Sequence, residues 1–477
     1  MPDAAAIDRA LVGALPPGSL YAVGGRVRDE IRSQLDGIDR PAKDLDYVAV
    51  GLTLDELVER LRRVGPTDVV GAAFAVVKTT VDGTTVDVAL PRRERSTGVG
   101  HRAFAVESGP DVPLADDLGR RDFRMNMIAR SLDSGALVDP FGGEADIRAR
   151  RIDVVVPTVF AEDPLRMLRA CQFAARFEFA VSPAARAAMA AAAPLAASVS
   201  PERVRDELVK MLEGARRPSI GLEIMRESGL LAVVLPEIAE GIGVAQNVYH
   251  AYDVYRHTLA TLDAAPPGDL VLRLAALFHD AGKPRTKSTE DGEAYAHFYR
   301  HEIVGEAMTR EALERLRFPL DTVERTARLV RHHMYAADPE LEPRTLRRFI
   351  RRVGADLLER QFALRGADVV GSGLPKRGDD NERFEERVRA VLAERPALSV
   401  RDLAVDGNDV IAALQAAGLT AGSRGGREVG VVLKALLERV TDDPAANERT
   451  RLLNLLSTSV ASLAAEPGPR PESDEDG

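Results

Sequence analysis

Apolar positions are arranged differently in the two ends of this chain. Near the N-terminus they form short runs: Leu20 to Val23 predicts a strand, ended by Gly24-Gly25, and Val27 to Ile31 predicts a helix behind it. Leu45, Val48 and Val50 alternate with polar residues and predict a strand over 44–50, and further strands are expected at 74–81 and 84–90. From about residue 146 the pattern turns helical, with Ala-rich stretches and the segment Val204 to Leu212 suggesting a neck packed on the α/β head. Glycine and charge over Gly371 to Asn381 predict a linker or loop, and 382–464 is helical again. The expected organisation is α+β: a head (1–145), a helical neck (146–240), an all-helical region (241–374), a C-terminal helical region (375–464) and a disordered acidic tail (465–477).

The period of a strand places Asp44 and Asp46 on one face. Two carboxylates there repel unless something neutralises them, and paired carboxylate oxygens suit Mg²⁺, which is usually shared with substrate phosphates. Gly24 and Gly25 stand between a strand and a helix, where backbone N–H groups can meet a triphosphate, and Arg28 can add a bidentate contact. Asp87, on the predicted strand Thr84 to Ala89, is either a third carboxylate of this site or an exposed strand residue.

The motifs become specific when taken in order. Gly24-Gly25-Arg26-Val27-Arg28-Asp29, Lys43-Asp44-Leu45-Asp46, Arg121-Asp122-Phe123 with Asn126, Asp139-Pro140-Phe141-Gly142-Gly143, and Glu162-Asp163-Pro164-Leu165-Arg166 with Arg169 together resemble the class II CCA-adding enzymes and bacterial poly(A) polymerases. The resemblance covers at least residues 20–240, with weaker matches to about 456. It implies a polymerase-β-like nucleotidyltransferase head with Mg²⁺ on Asp44 and Asp46, Asp87 assisting. It places Gly24, Gly25 and Arg28 at the triphosphate, and Arg121, Asp122 and Asn126 around the sugar and phosphates. Asp163 and Arg166, with Arg169 nearby, would select the base by protein side chains. On the residues alone, Asp163 before Pro164 is also a good helix start. Arg124 and Met127 stand where the family usually has threonine and alanine, and Pro91 to His101 resembles its flexible loop.

Histidine supplies the second constellation. The chain has 8 His, of which 7 lie between His250 and His333. His257, His279-Asp280, His301, His332-His333 and Asp368 follow the order of an HD-domain metal phosphohydrolase. This resemblance implies His257, His279, Asp280 and Asp368 as core ligands and His301 with His332 or His333 for a second metal. His250 and His297 are weaker candidates, and His101 belongs to the head. Imidazoles and carboxylates suit Mn²⁺, Ni²⁺, Fe²⁺ or Mg²⁺.

Composition narrows the remaining choices. The 477 residues suffice for several packed units, and the lone Cys171 excludes an internal disulfide and cysteine-rich zinc sites. No 18-residue apolar run or leader is evident, so no membrane role and a cytoplasmic location are expected. Net charge is -10, partly from the acidic tail; arginine clusters at Arg148, Arg150 and Arg151, at Arg216 and Arg217, and at Arg344, Arg347, Arg348, Arg351 and Arg352 are candidate RNA contacts or solvated faces. The expected function is template-independent addition of CCA to a tRNA 3′ end from CTP and ATP by two-metal catalysis, with a possible HD phosphohydrolase activity. The alternatives are a poly(A) polymerase or a CC-only or A-only adding enzyme, acting on tRNA or another RNA 3′ end, or an HD phosphohydrolase (2′,3′-cyclic phosphodiesterase or phosphatase) with an RNA-binding head.

Overall fold

The structure, a computed structural model, describes residues 4–39, 45–70, 75–96, 104–289, 295–375, 378–416 and 427–465. Strands β1 (Leu20–Val23), β2 (Asp46–Ala49), β3 (Thr67–Val70), β4 (Val76–Val81), β5 (Thr84–Ala89), β6 (Arg92–Ser96), β7 (Phe104–Ser108), β8 (Ala129–Ser131) and β9 (Leu137–Val138) build the head. Seven of them form a mixed sheet of order β3-β4-β5-β2-β1-β8-β9, and β6 pairs with β7 in a separate ribbon. Only β2 and β5 run parallel within the large sheet; its other neighbours are antiparallel.

The apolar run of β1 follows from its central place. Leu20 packs with Ile7, Leu11 and Leu57 on one side of the sheet, and Val23 with Val48, Leu118 and Ala129 on the other. Gly24 then adopts φ +67°, a left-handed conformation that glycine takes without penalty, and the helix Gly25–Asp36 starts directly behind it.

Helices account for the remainder. Leu165–Phe177 is buried along most of its length and joins the head to the helical domains: one apolar cluster runs from Ala22 and Val27 through this helix to Val391. The segment predicted around Val204 to Leu212 is the helix Pro201–Gly214, with Val204, Leu208, Met211 and Leu212 buried. Residues 397–456 hold a separate apolar cluster.

The packing of the C-terminal third refines the expected boundaries. The helix Asp380–Ala393 packs with the preceding core, where Phe384 meets Phe349 and Phe362, and the buried apolar residues pass to the second cluster around Ala397, with Leu398 still packed on the first. The expected linker or loop lies between the helices Leu358–Gly371 and Asp380–Ala393, and Gly371 itself closes the first of them: a Cβ there would lie 2.7 Å from the Thr261 backbone nitrogen, so glycine permits two helices to touch. Residues 376 and 377, His101, the end of the predicted flexible loop and the acidic tail lie outside the described residues.

The arginine clusters are mostly engaged within the chain. Arg148 pairs with Glu144, Arg150 with Asp36, Arg151 with Asp146, Arg216 with Glu178 and Arg217 with Asp263. Arg344 meets Glu342, and Arg348 and Arg351 pair with Asp442 and Glu438. Arg347 donates to the Thr441 carbonyl at 2.6 Å, tying its helix to the C-terminal unit. Arg352 is exposed and has no such partner among the described residues. No helix of the described residues is long and apolar enough to cross a membrane.

Candidate nucleotide cleft and metal centre

The β1 turn, the β2 strand and the helix Leu165–Phe177 open onto a cleft of about 500 Å³, lined by Gly24, Gly25, Arg28, Asp46, Arg121, Asp122, Asn126, Asp163, Arg166 and Arg169 among others. The strand-turn-helix of the glycine motif presents the N-terminal end of Gly25–Asp36 to this space, where backbone N–H groups lack helical partners. A Cβ on Gly24 would stand 2.6 Å from Arg121 Nη1, so the second reason for glycine is the close approach of that guanidinium. Asp46 begins β2 and is exposed to solvent. Asp87 is its register partner on β5, on the same face, and lies 3.6 Å from Lys78. Asp44 lies outside the described residues.

A buried chain of hydrogen bonds organises the cleft wall. Arg28 Nη1 donates to Asn126 Oδ1 at 2.7 Å, Asn126 Nδ2 donates to Asp122 Oδ1 at 2.8 Å, and Arg169 Nε donates to Asp122 Oδ2 at 2.7 Å. Arg28 also donates through Nε and Nη2 to both oxygens of Asp29, and its guanidinium lies over the rings of Phe173 and Phe177. Burial pushes the Asp122 carboxyl up, but Arg169, Asn126 and the Phe123 N–H outweigh it and hold the group below the usual carboxylate range. Asp122 therefore stays ionised and fixes the cationic face of Arg169.

The motif suggested for base selection comes to the same wall. Asp163 pairs with Arg203 at 3.0 Å, and Arg166 Nη2 donates to the Arg120 carbonyl at 3.0 Å. Asp163 Oδ1 also accepts from the Leu165 N–H at 3.3 Å, so the capping contact and the cleft-facing position coexist in one residue. Arg124, by contrast, is drawn away to Asp146 at 2.8 Å and Asp153 at 3.5 Å. The Asp139-Pro-Phe-Gly-Gly motif is architectural: Asp139 accepts from the Gly143 and Glu144 N–H groups at 2.7 and 2.9 Å, and a Cβ on Gly143 would collide with the Arg124 carbonyl.

The histidines meet elsewhere, among the helices Val254–Ala264, Leu270–Phe278, His301–Arg315, Leu320–Arg331 and Leu358–Gly371. Asp280 is the hub. Its Oδ2 lies 3.2 Å from both His257 Nε2 and His279 Nε2, and its Oδ1 lies 3.4 and 3.7 Å from the Nε2 atoms of His301 and His333. Asp368 closes the first group, 3.1 Å from His257. His279, His301 and His333 each turn Nδ1 to a backbone carbonyl at 2.7–2.9 Å, which aims every Nε2 inward. Inward-facing nitrogens approach in pairs, 3.0 Å between His257 and His279 and 3.1 Å between His301 and His333. With the Nδ1 protons committed to carbonyls, three of these four Nε2 atoms offer lone pairs to the centre, a donor set that fits divalent metal.

Burial and the neighbouring His279 and His301 push His333 down to about 3, so it is neutral and ready to ligate. Asp280 is held well below the usual range, because His279, Lys283 and His257 overcome its burial. His332 is not part of the cluster; at the end of its helix it turns aside, and His333 takes the inward place. His250 joins His257 and Asp368 in a third potential ligand group, although it precedes the first helix by several residues and carries no periodic signal. A cavity of about 880 Å³ opens over the centre.

Family models match three successive segments: a poly A polymerase head domain over residues 20–153, a probable RNA and SrmB-binding site of polymerase A over 178–242, and an HD domain over 247–370. The multifunctional CCA protein of Nitrosococcus oceani is 38% identical over 388 residues, covering 80% of this chain and 91% of that protein. The chain belongs to the CCA-adding enzyme family. The multifunctional CCA protein of Azoarcus sp. is 37% identical, covering 76% of this chain and 85% of its own. Among solved structures, the Bacillus stearothermophilus CCA-adding enzyme in complex with CTP superposes with a TM-score of 0.69 at 25% identity, covering 97% of this chain and 98% of that one. This CCA-adding family member is thus a nucleotidyltransferase by descent with an HD domain behind its head, and both families are metal-dependent.

Several cleft residues escape a reading of the sequence. Gln172, Arg176, Arg203, Glu207 and Lys210 also line the nucleotide cleft. Gln172 and Arg176 follow Arg169 at helical spacing, a signal present in the sequence; Arg203 and Lys210 come from a separate helix, and only the tertiary packing brings them there. At the metal centre, Lys283 lies 2.7 Å from Asp280 and Arg365 lies 3.3 Å from Asp368.

Proposed function

We propose that the head extends the 3′ end of tRNA with C, C and A, taking CTP and ATP in the cleft beside Asp46. The observation that carries this reading is the convergence, in one cleft, of a glycine turn at a helix N-terminus, a strand carboxylate and the Asp163, Arg166 pair. Gly24, Gly25 and Arg28 receive the triphosphate, and the Arg28, Asn126, Asp122, Arg169 chain keeps that wall rigid before substrate arrives. Asp46, with Asp44 and Asp87, would hold Mg²⁺, which when bound neutralises phosphate charge and favours an ionised 3′ hydroxyl.

Base choice follows from hydrogen-bond polarity. Cytosine and adenine each present an amino donor beside a ring-nitrogen acceptor, whereas uracil and guanine present a carbonyl beside a ring N–H. A carboxylate acceptor at Asp163 and a guanidinium donor at Arg166 complement the first pattern and leave unpaired groups against the second. Both residues exchange contacts they already hold, with Arg203 and the Arg120 carbonyl, for the base edge.

The HD centre supports a second activity. Its fused carboxylate and imidazole set would hold Mn²⁺, Ni²⁺, Fe²⁺ or Mg²⁺ for hydrolysis of 2′,3′-cyclic phosphates or phosphate esters, with Lys283 and Arg365 at the cavity wall to receive the phosphate. Work on tRNA is consistent with a cytoplasmic location. The test of the head is incorporation of labelled CTP and ATP into RNA by wild type and by Asp44→Ala with Asp46→Ala: incorporation is expected to vanish in the folded double variant, and incorporation at the wild-type rate would refute the assignment.

A further inference from the structure

Nearly every cation of the nucleotide cleft is already engaged. Arg28 is held by Asp29 and Asn126, Arg121 by Asp117, Arg166 by the Arg120 carbonyl, Arg169 by Asp122, Arg203 by Asp163 and Lys210 by Glu207. Arg176 differs. It lines the same cleft, half-buried, and makes no hydrogen bond or ion pair among the described residues; its guanidinium only lies 5.6 Å from the Phe177 ring centroid, the ring that Arg28 also covers.

A second, independent feature lies one helical turn away. Gln172 is 1% exposed, lines the cleft, and its Nε2 has no hydrogen-bond acceptor. Residues four apart share a helix face, so a guanidinium and an amide, both donors and both without acceptors, stand side by side on the helix Leu165–Phe177. Leaving a buried donor unsatisfied costs roughly the free energy of a hydrogen bond, and a half-buried cation costs more when, as here, the nearby carboxylates of Asp29 and Glu207 make no direct ion pair with it. Consistent with this, burial and the adjacent charge of Arg28 outweigh Asp29 and Glu207 and hold Arg176 below the usual arginine range. The ligand that relieves all of this is rich in acceptor oxygens and negatively charged.

We propose that Arg176, with Gln172 beside it, binds the pyrophosphate portion of the incoming nucleotide and of the released product. The choice of that portion over the base or the RNA rests on its neighbours: Arg176 shares Phe177 with Arg28, which starts from the glycine turn, whereas Asp163 and Arg166 take the base. Arg28 spends its Nε and Nη2 on Asp29, so much of the counter-charge for the leaving group falls to Arg176. This proposal rests on the nucleotidyltransferase reading of the head. Because the contact is to phosphate, it serves CTP and ATP alike.

The test measures binding of CTP, ATP, CMP and inorganic pyrophosphate with Mg²⁺ to full-length wild type, Arg176→Gln, Arg176→Lys and Gln172→Leu, alongside KM for each nucleotide and for tRNA. Arg176→Gln is expected to weaken CTP, ATP and pyrophosphate by about tenfold or more, a loss typical of a hydrogen bond to a charged group, with CMP and the KM for tRNA unchanged. Arg176→Lys should recover part of the loss, and Gln172→Leu should shift the same three ligands by a smaller factor. Equal weakening of CMP would show a general structural role, and a rise in the KM for tRNA alone would assign Arg176 to the RNA backbone; either overturns the proposal. Unchanged pyrophosphate affinity in Arg176→Gln overturns it while leaving the head reading standing. Failure of wild type itself to bind CTP or pyrophosphate sinks both.

Discussion

Asp122 accepts the Arg169 Nε hydrogen at 2.7 Å, and this contact joins a motif of the head to the neck helix Leu165–Phe177. Through Asn126 the same carboxylate reaches Arg28, so the triphosphate end and the base end of the cleft share one buried network. Asp122→Asn keeps the shape and removes the charge. We expect a loss of about 2 kcal/mol in stability, read from chemical denaturation, and a fall in nucleotide addition of about a hundredfold that exceeds what partial unfolding explains. Wild-type activity in this variant would show the network to be dispensable.

The same carboxylate predicts a pH dependence. Its folded pKa is depressed, so its contribution is complete above the ordinary aspartate value, near 3.9, and is lost as pH falls through the lower folded value. Stability of wild type relative to Asp122→Asn should therefore be flat from about pH 5 upwards and shrink below about pH 4. A difference that grows as pH falls would reverse the sign and contradict the assignment.

Base selection is separable from triphosphate binding. Asp163→Ala and Arg166→Ala should each raise misincorporation of U and G relative to C and A, by about tenfold or more, while pyrophosphate affinity changes little. An unaltered preference in both variants would remove these residues from base recognition.

Much of this site is legible in the sequence because its chemistry lies in local motifs. The glycine turn follows its strand as expected, and Asp46 and Asp87 meet in register because both strands keep period two. The metal centre is legible for the same reason: helices return His257, His279 and Asp368 to Asp280. The features that escape are set by tertiary packing. Nothing local distinguishes His332 from His333, since only the helix end decides which ring turns inward. Gly371 reads as the start of a linker or loop, one residue early, because the helix contact that holds it, with Thr261, is more than a hundred residues away. The arginine clusters suggest RNA contacts only while their carboxylate partners, many distant in the chain, are out of view.

The HD centre should be independent of the head. His279→Ala with Asp280→Ala is expected to eliminate bound transition metal, measured by elemental analysis, and hydrolysis of 2′,3′-cyclic AMP or p-nitrophenyl phosphate with Mn²⁺ or Ni²⁺, with nucleotide addition retained. Asp280 serves both halves of the ligand set, so Asp280→Asn alone should lower metal content more than His301→Ala does. Loss of nucleotide addition in a folded double variant would mean that this region shapes the RNA site.

CCA addition by the head is tested most directly by incubating pure protein with tRNA lacking its 3′ end, supplying each NTP singly and then all four, and sequencing the product ends. The expected products are termini ending in C, C and A in the full mixture, C residues alone with CTP, and no extension with UTP or GTP. Runs of A, termination after CC with both CTP and ATP present, or incorporation of U and G as readily as C and A would contradict this function.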